Sequence, residues 1–226
     1  MDVCAVRFAA WAPGFTGIDD WKAWAGGERS IPQTAESPAL EYTDPLYRRR
    51  LSQISRMTTQ VIHDVLPVGD DTKLVFVSFR GELARQLAIN RMLAEEGDIK
   101  PAAFSLSVFN APPALAAITF SLNAGYTAVY PGSGSFRTGL MAALSPIISG
   151  AVREILLVYA DELCPMEYGA GPAACVQPWA PFAFAALLCR GNGGTPVVVS
   201  GEAAASPEAF LKYLLLASQS RESAAL

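Results

Sequence analysis

The sequence predicts an α/β fold: a mixed, mostly parallel sheet with helices on both faces, ending in a C-terminal antiparallel hairpin. Three observations carry that prediction. Short β-branched and apolar runs alternate along the chain with segments whose apolar residues recur at three and four. Hydrophobic residues make up 51% of the chain against 17% charged, the balance of a chain with a packed core. At 226 residues the chain has the size of one ordinary domain, so residues 1–226 read as a single unit.

Residues 3–10 have the content of a first strand, and the Pro-, Gly- and Trp-rich residues 11–45 read as an ordered surface loop. From 47 to 66, Leu51, Ile54, Met57, Val61, Ile62 and Val65 form the stripe of an amphipathic helix that Pro67 closes. Residues 73–79 make a strand, and residues 82–95 a helix with Leu83, Leu87, Ile89 and Leu93 in phase before Gly97. Residues 112–122 begin with proline, which the first turn of a helix tolerates. Residues 126–130 are strand-like, and residues 135–148 form a helix so apolar that it must be buried on most sides. Residues 155–160 are another strand, residues 182–189 and 196–200 a strand pair around residues 191–194, and residues 207–217 a final helix.

Several function classes drop out on composition. A net charge of −4 gives no attraction to phosphate backbones, so nucleic acid is not an expected partner. The opening Met1-Asp2-Val3-Cys4 begins with an acid and leads to a brief apolar run ended by Pro13, unlike a secretory signal. The longest apolar stretches, residues 140–148 and 181–189, fall well short of the ~20 residues a bilayer requires, and no membrane span is expected. Cys4, Cys164, Cys175 and Cys189 are widely spaced without a C-x-x-C pair. Neither a metal, a cofactor nor a disulfide framework is expected, and the reducing cytoplasm is the expected location.

Three segments carry a family resemblance. Arg48-Arg49-Arg50-Leu51-Ser52-Gln53-Ile54-Ser55-Arg56-Met57 is an arginine-led helix, and Val77-Ser78-Phe79-Arg80-Gly81-Glu82-Leu83 is a strand-to-helix turn. Phe104-Ser105-Leu106-Ser107-Val108-Phe109-Asn110-Ala111 precedes the next helix. Together they resemble the ketosynthase-like chain-length factors, in particular those of bacterial aryl polyene pathways. The third segment departs from the family in having Phe109 where histidine is frequent, and Pro112 and Pro113 where glycine is. The resemblance implies a thiolase-like half fold, and an obligate heterodimer with a full-length β-ketoacyl synthase that is served by an acyl carrier protein.

The resemblance also implies where a nucleophile should stand. In condensing ketosynthases a strand runs into an alanine-cysteine-serine turn and then a buried helix. Here Tyr126-Thr127-Ala128-Val129-Tyr130-Pro131 leads to Gly132-Ser133-Gly134-Ser135, with Gly132 in the cysteine's place. Glycine has no side chain to take an acyl group from a thioester, so no catalytic residue is expected. The family's chemistry further uses two histidines to hold a developing enolate. This sequence has one, His63, on the apolar-periodic helix, where it reads as a structural residue.

The expected role is therefore a non-catalytic chain-length factor that limits elongation in aryl polyene or related polyketide biosynthesis. Phe104, Val108, Phe109, Asn110, Leu115 and Phe120 are candidate acyl-tunnel or interface residues. Arg48, Arg49 and Arg50 either meet the acidic carrier protein or form a solvated helix entrance. Ser133 supplies the alternative, a small serine acyltransferase or thioesterase, although residues 131–135 lack the G-x-S-x-G order. Cys164 and Cys175 read as small buried hydrophobes. Asp161 and Glu162 end a strand pointing to opposite faces, and read as capping or surface acids.

Overall fold

The computed structural model describes residues 2–132, 135–168 and 180–224. Six strands form one sheet in the order β3-β2-β4-β5-β1-β6: β1 (Val3–Trp11), β2 (Lys73–Val77), β3 (Tyr126–Val129), β4 (Glu154–Asp161), β5 (Phe182–Arg190) and β6 (Thr195–Pro196). β2 runs parallel to β3 and β4, while β5 is antiparallel to β4 and β1. Four strands therefore share one direction, and β5 and β6 oppose them.

β4 and β5 are buried on both faces, which is why they read as nearly continuous apolar runs. Ile155, Leu157 and Tyr159 enter one core; Leu156, Val158 and Ala160 enter the other. Helices α1 (Ile18–Ala25), α7 (Phe136–Ser149) and α8 (Pro207–Ala224) carry residues of the first core. Helices α3 (Gln53–Val65) and α6 (Ala111–Phe120) carry residues of the second. Between them lie the short α2 (Pro45–Arg48), α4 (Leu83–Glu96) and the short α5 (Pro101–Ser105).

Three local expectations change. The stretch predicted as a loop holds α1, whose entry Asp20 secures by accepting the N–H groups of Thr16 at 2.7 Å and Gly17 at 3.3 Å. Trp21 and Trp24, one turn apart, then bury against Phe15 and Phe182. The helix expected over residues 47–66 breaks in two, because Ser52 caps a new start by accepting Ser55 N–H at 3.2 Å. The two last strands do not form a hairpin with each other. Both are antiparallel to β1, which lies between them. Gly194 permits that arrangement, since a Cβ there would lie 2.2 Å from the Ala5 carbonyl oxygen.

Candidate functional site

β3 delivers the chain to the C-terminal end of the sheet, where the turn into α7 begins. Pro131 is buried, and Gly132 takes a left-handed φ of 73° that side chains rarely adopt. Ser133 and Gly134 lie outside the described residues. Phe136, at the first turn of α7, is fully buried against Tyr159, Phe184 and Phe210. Close packing of α7 on β2 needs Gly139, because a Cβ there would stand 2.7 Å from both Val77 methyls.

Beside this turn lies a set of buried acids, two of which, Asp161 and Glu162, the sequence predicts as capping or surface groups. Asp161, 0% exposed, accepts Ser78 Oγ at 2.6 Å, Tyr159 Oη at 2.9 Å and the Arg80 N–H at 3.1 Å. Phe79 N–H reaches the same carboxylate. Burial pushes the Asp161 pKa up, and these donors with the charge of Arg80 pull against the rise. Glu162 accepts Ala84 N–H at 2.8 Å and the N–H of Ile54, so one carboxylate holds the first turns of both α4 and α3. Burial raises Glu162 to about 7, and the neighbouring charges of Glu82 and Asp161 add to it.

Glu82 takes hydrogen bonds from Ser52 Oγ at 2.7 Å and Ser55 Oγ at 2.6 Å, and Arg85 Nε lies 3.1 Å from its second oxygen. Its pKa is also raised by burial, as is that of Glu208 on α8, which feels the charge of Asp161. Asp161 and Glu162 do cap and do face opposite ways, but they are buried rather than on the surface. Glu82 and Glu208 had no sequence signal beyond being acids in apolar surroundings. Among the described residues, no group of three or more His, Cys, Asp or Glu could hold a metal ion.

The residues singled out from the sequence are dispersed. Phe109 packs edge-on to Phe76 at 6.2 Å and fills the notch over Gly81, where a Cβ would lie 2.7 Å from its ring. Val108 is partly buried next to it, and Asn110 donates to Tyr126 Oη at 2.9 Å, tying the start of α6 to β3. Leu115 offers its carbonyl to Tyr47 Oη at 3.0 Å, while Phe104 is 57% exposed on α5. Phe120 stands at the far end of α6, about 15 Å along from Phe109, with its ring tilted against Tyr42 and His63.

His63 stacks on Tyr42 at 3.7 Å and meets Asp64 at 3.0 Å. It sits near the end of α3, whose start meets Glu82 beyond β2, so the length of the sheet separates it from Gly132. Of the arginines, Arg48 is turned inward to the Leu40 carbonyl at 3.2 Å. Arg49 and Arg50 are exposed, and Arg85 reaches the Arg50 carbonyl. Cys164 is partly buried just past β4, and Cys175 lies outside the described residues.

Comparison with known proteins closes the question of family. A model of the β-ketoacyl synthase N-terminal domain matches residues 21–212. Among solved structures, the ketosynthase ApeO in complex with its chain length factor ApeC from Xenorhabdus doucetiae superposes with a TM-score of 0.71 at 28% identity. That match covers 85% of this chain and 81% of the other. The ishigamide ketosynthase/chain length factor gives 0.61 at 13% identity, over 84% of this chain and 62% of that one. The AntDE:AntF complex, a type II polyketide acyl-carrier protein with its ketosynthase bound to the hexaketide, gives 0.62 at 15% identity over 84% and 63%. The last two show likeness of fold alone, and this chain spans under two thirds of their length. No curated protein sequence matches the chain. With a thiolase-like mixed sheet and a family match over most of its length, this chain belongs to the β-ketoacyl synthase family, through that family's N-terminal domain.

Proposed function

We propose that the chain is the chain-length factor of a condensing pair. It binds a full-length β-ketoacyl synthase, contributes no catalytic group, and limits acyl elongation in aryl polyene or related polyketide biosynthesis in the cytoplasm. The turn at Gly132 carries this reading: the place where an acyl group would be loaded offers backbone and no thiol. The one histidine is spent on Tyr42 and Asp64 at the opposite end of the sheet. No donor from it reaches the place where enolate charge would develop.

The surface supports a partner. β3 stands at the edge of the sheet, and a bare edge invites another chain. Around it Ile118 is 76% exposed on α6, Tyr130 62% past β3, and Met141 40% on α7. Apolar groups gathered on elements around one edge are what an obligate interface covers. The solved complex that this chain resembles at 28% identity is itself a ketosynthase with its chain length factor. In the pair, Phe109 and Val108 would stand at the wall of the acyl tunnel, and exposed Arg49 and Arg50 would face the acidic carrier protein.

The test is to purify the chain alone and with a candidate synthase, then measure malonyl condensation and product length. The lone chain should be inert and the pair active with a defined product. Phe109→Ala in the pair should lengthen or blur the products. Condensation by the lone chain, a covalent acyl adduct on it, or fluorophosphonate labelling lost in Ser133→Ala would overturn the reading. Unchanged products from both Phe109→Ala and Phe120→Ala would leave a scaffold without a role in length.

A further inference from the structure

We infer that Cys4 and Cys189 are a latent disulfide pair, a site at which a peroxide covalently fastens the first strand into the middle of the sheet. The two cysteines are direct partners in the antiparallel ladder of β1 and β5. Direct partners carry their side chains on the same face. The register also fixes their spacing. Gly191 N–H donates to Asp2 O at 3.0 Å, two residues away along each strand. Bonded and non-bonded pairs alternate along such a ladder, so Cys4 and Cys189 form a hydrogen-bonded pair with Cα atoms roughly 5.5 Å apart. A disulfide spans roughly 4.4 to 6.8 Å between Cα atoms, and this pair falls inside that range. Its Cβ atoms, however, stand roughly 5.5 Å apart against the roughly 3.5–4.5 Å of a disulfide, so the two strands must close locally by about 1 Å at this rung.

Both thiols are free. Cys4 Sγ donates to Gly191 O at 2.6 Å, and Cys189 Sγ to Glu154 Oε2 at 3.6 Å. Joining the sulfurs takes side-chain rotation, a local approach of β1 and β5 by about 1 Å, and the loss of these two S–H contacts, with the strand register kept. Cys4 is sealed at 1% exposure while Cys189 is partly exposed, which sets the order of events.

Hydrogen peroxide meets Cys189 first. The thiolate sulfur attacks one peroxide oxygen, the O–O bond breaks, and the departing hydroxide takes a proton to leave as water. A sulfenic acid remains on Cys189. Cys4 sulfur then attacks that sulfur; the S–O bond breaks, the S–S bond forms, and the hydroxyl leaves as a second water with the Cys4 proton. Two thiols are oxidised to one disulfide and one peroxide is reduced to two waters.

The surroundings of Cys189 set the rate. Burial first, then the Glu154 carboxylate on β4, push its thiol up to about 11, with Cys4 adding to the rise and Arg7 on β1 opposing it. The thiolate fraction, and with it the rate, then rises about tenfold per pH unit.

The reduced full chain, treated with a small excess of hydrogen peroxide, alkylated and digested, gives a direct readout by mass spectrometry. The expected product is a linked pair of peptides carrying Cys4 and Cys189, two hydrogens lighter than their sum. It should form about 100-fold faster at pH 9 than at pH 7, and be missing from Cys4→Ser and from Cys189→Ser. Glu154→Gln should speed it several-fold at pH 7. Sulfinic or sulfonic acid on Cys189 with Cys4 still alkylated, or a link from Cys189 to Cys164 or Cys175, would overturn the inference. So would a folded chain that stays unlinked at pH 9 under conditions that oxidise the urea-unfolded chain.

Discussion

Replacing Glu162 by glutamine should make the chain more stable at neutral pH. Glu162 is 2% exposed, and its ordinary pKa of 4.5 is raised by burial to about 7. The folded chain therefore keeps a proton that the unfolded chain releases between those two values. A raised carboxyl contributes its stability in full below the unfolded pKa and loses it as pH rises through the folded one. At 1.36 kcal/mol per unit, the loss between pH 4.5 and pH 7 is about 3 kcal/mol. In Glu162→Gln one amide oxygen remains to accept the N–H groups of Ala84 and Ile54, and nothing ionises. Variant and parent should be level near pH 4.5, and the variant about 3 kcal/mol ahead at pH 8. Glu82, Asp161 and Glu208 are raised in both proteins, and since Glu82 and Asp161 are coupled by charge to Glu162, the difference between the two curves reports Glu162 together with that coupling. Urea unfolding followed by pulse proteolysis at low concentration, from pH 5 to pH 8, measures it. A constant offset at every pH, or a variant weaker at pH 8, would refute the reasoning.

Gly139→Ala should cost about 1–3 kcal/mol from overpacking on Val77, and the double variant with Val77→Ala should recover most of it; urea unfolding of all three shows whether the two sites couple. Ser52→Ala removes the cap of α3 and one donor to Glu82, for a loss of about 1–2 kcal/mol in the same assay. Ile118→Lys and Met141→Lys sit on exposed positions, so each should leave the lone chain's stability within about 0.5 kcal/mol. Together they should abolish co-purification with a synthase partner; a complex that survives both would move the interface elsewhere.

Strands and long helices were legible where burial imposes a period. β4 alternates between two cores, and α3 shows its stripe, because each must hide specific faces. What escaped was either short or non-local. α1 lies inside a Pro- and Gly-rich stretch, and its signals were small: Asp19 and Asp20 in the first turn, Trp21 and Trp24 one turn apart. The insertion of β1 between β5 and β6 is a long-range pairing that residues 191–194 do not encode on their own. The acids were hardest to read. Asp161 finds its donors about eighty residues upstream at Ser78, Phe79 and Arg80, so its burial follows only from the fold. Phe109 and Phe120 are close in sequence, yet α6 carries them to opposite ends of itself.

The buried acids bear directly on where function can reside. Perturbed carboxylates near a strand-end turn are ordinarily candidates for catalysis. Here most of their oxygens are committed. Asp161 is taken by two hydroxyls and two backbone N–H groups and Glu162 by the starts of two helices, while Glu82 gives one oxygen to two serines and keeps its second buried at 3.1 Å from Arg85 Nε, an ion pair without a hydrogen bond. A general acid or base needs an oxygen free to face a substrate proton, and satisfying these contacts elsewhere would cost about 1–3 kcal/mol for each buried group left unpaired. The strand ends are held as a hydrogen-bonded frame for the turn at Gly132 and for the start of α4. That frame fixes local shape, seating Phe109 over Gly81 while Asn110 ties the start of α6 to β3.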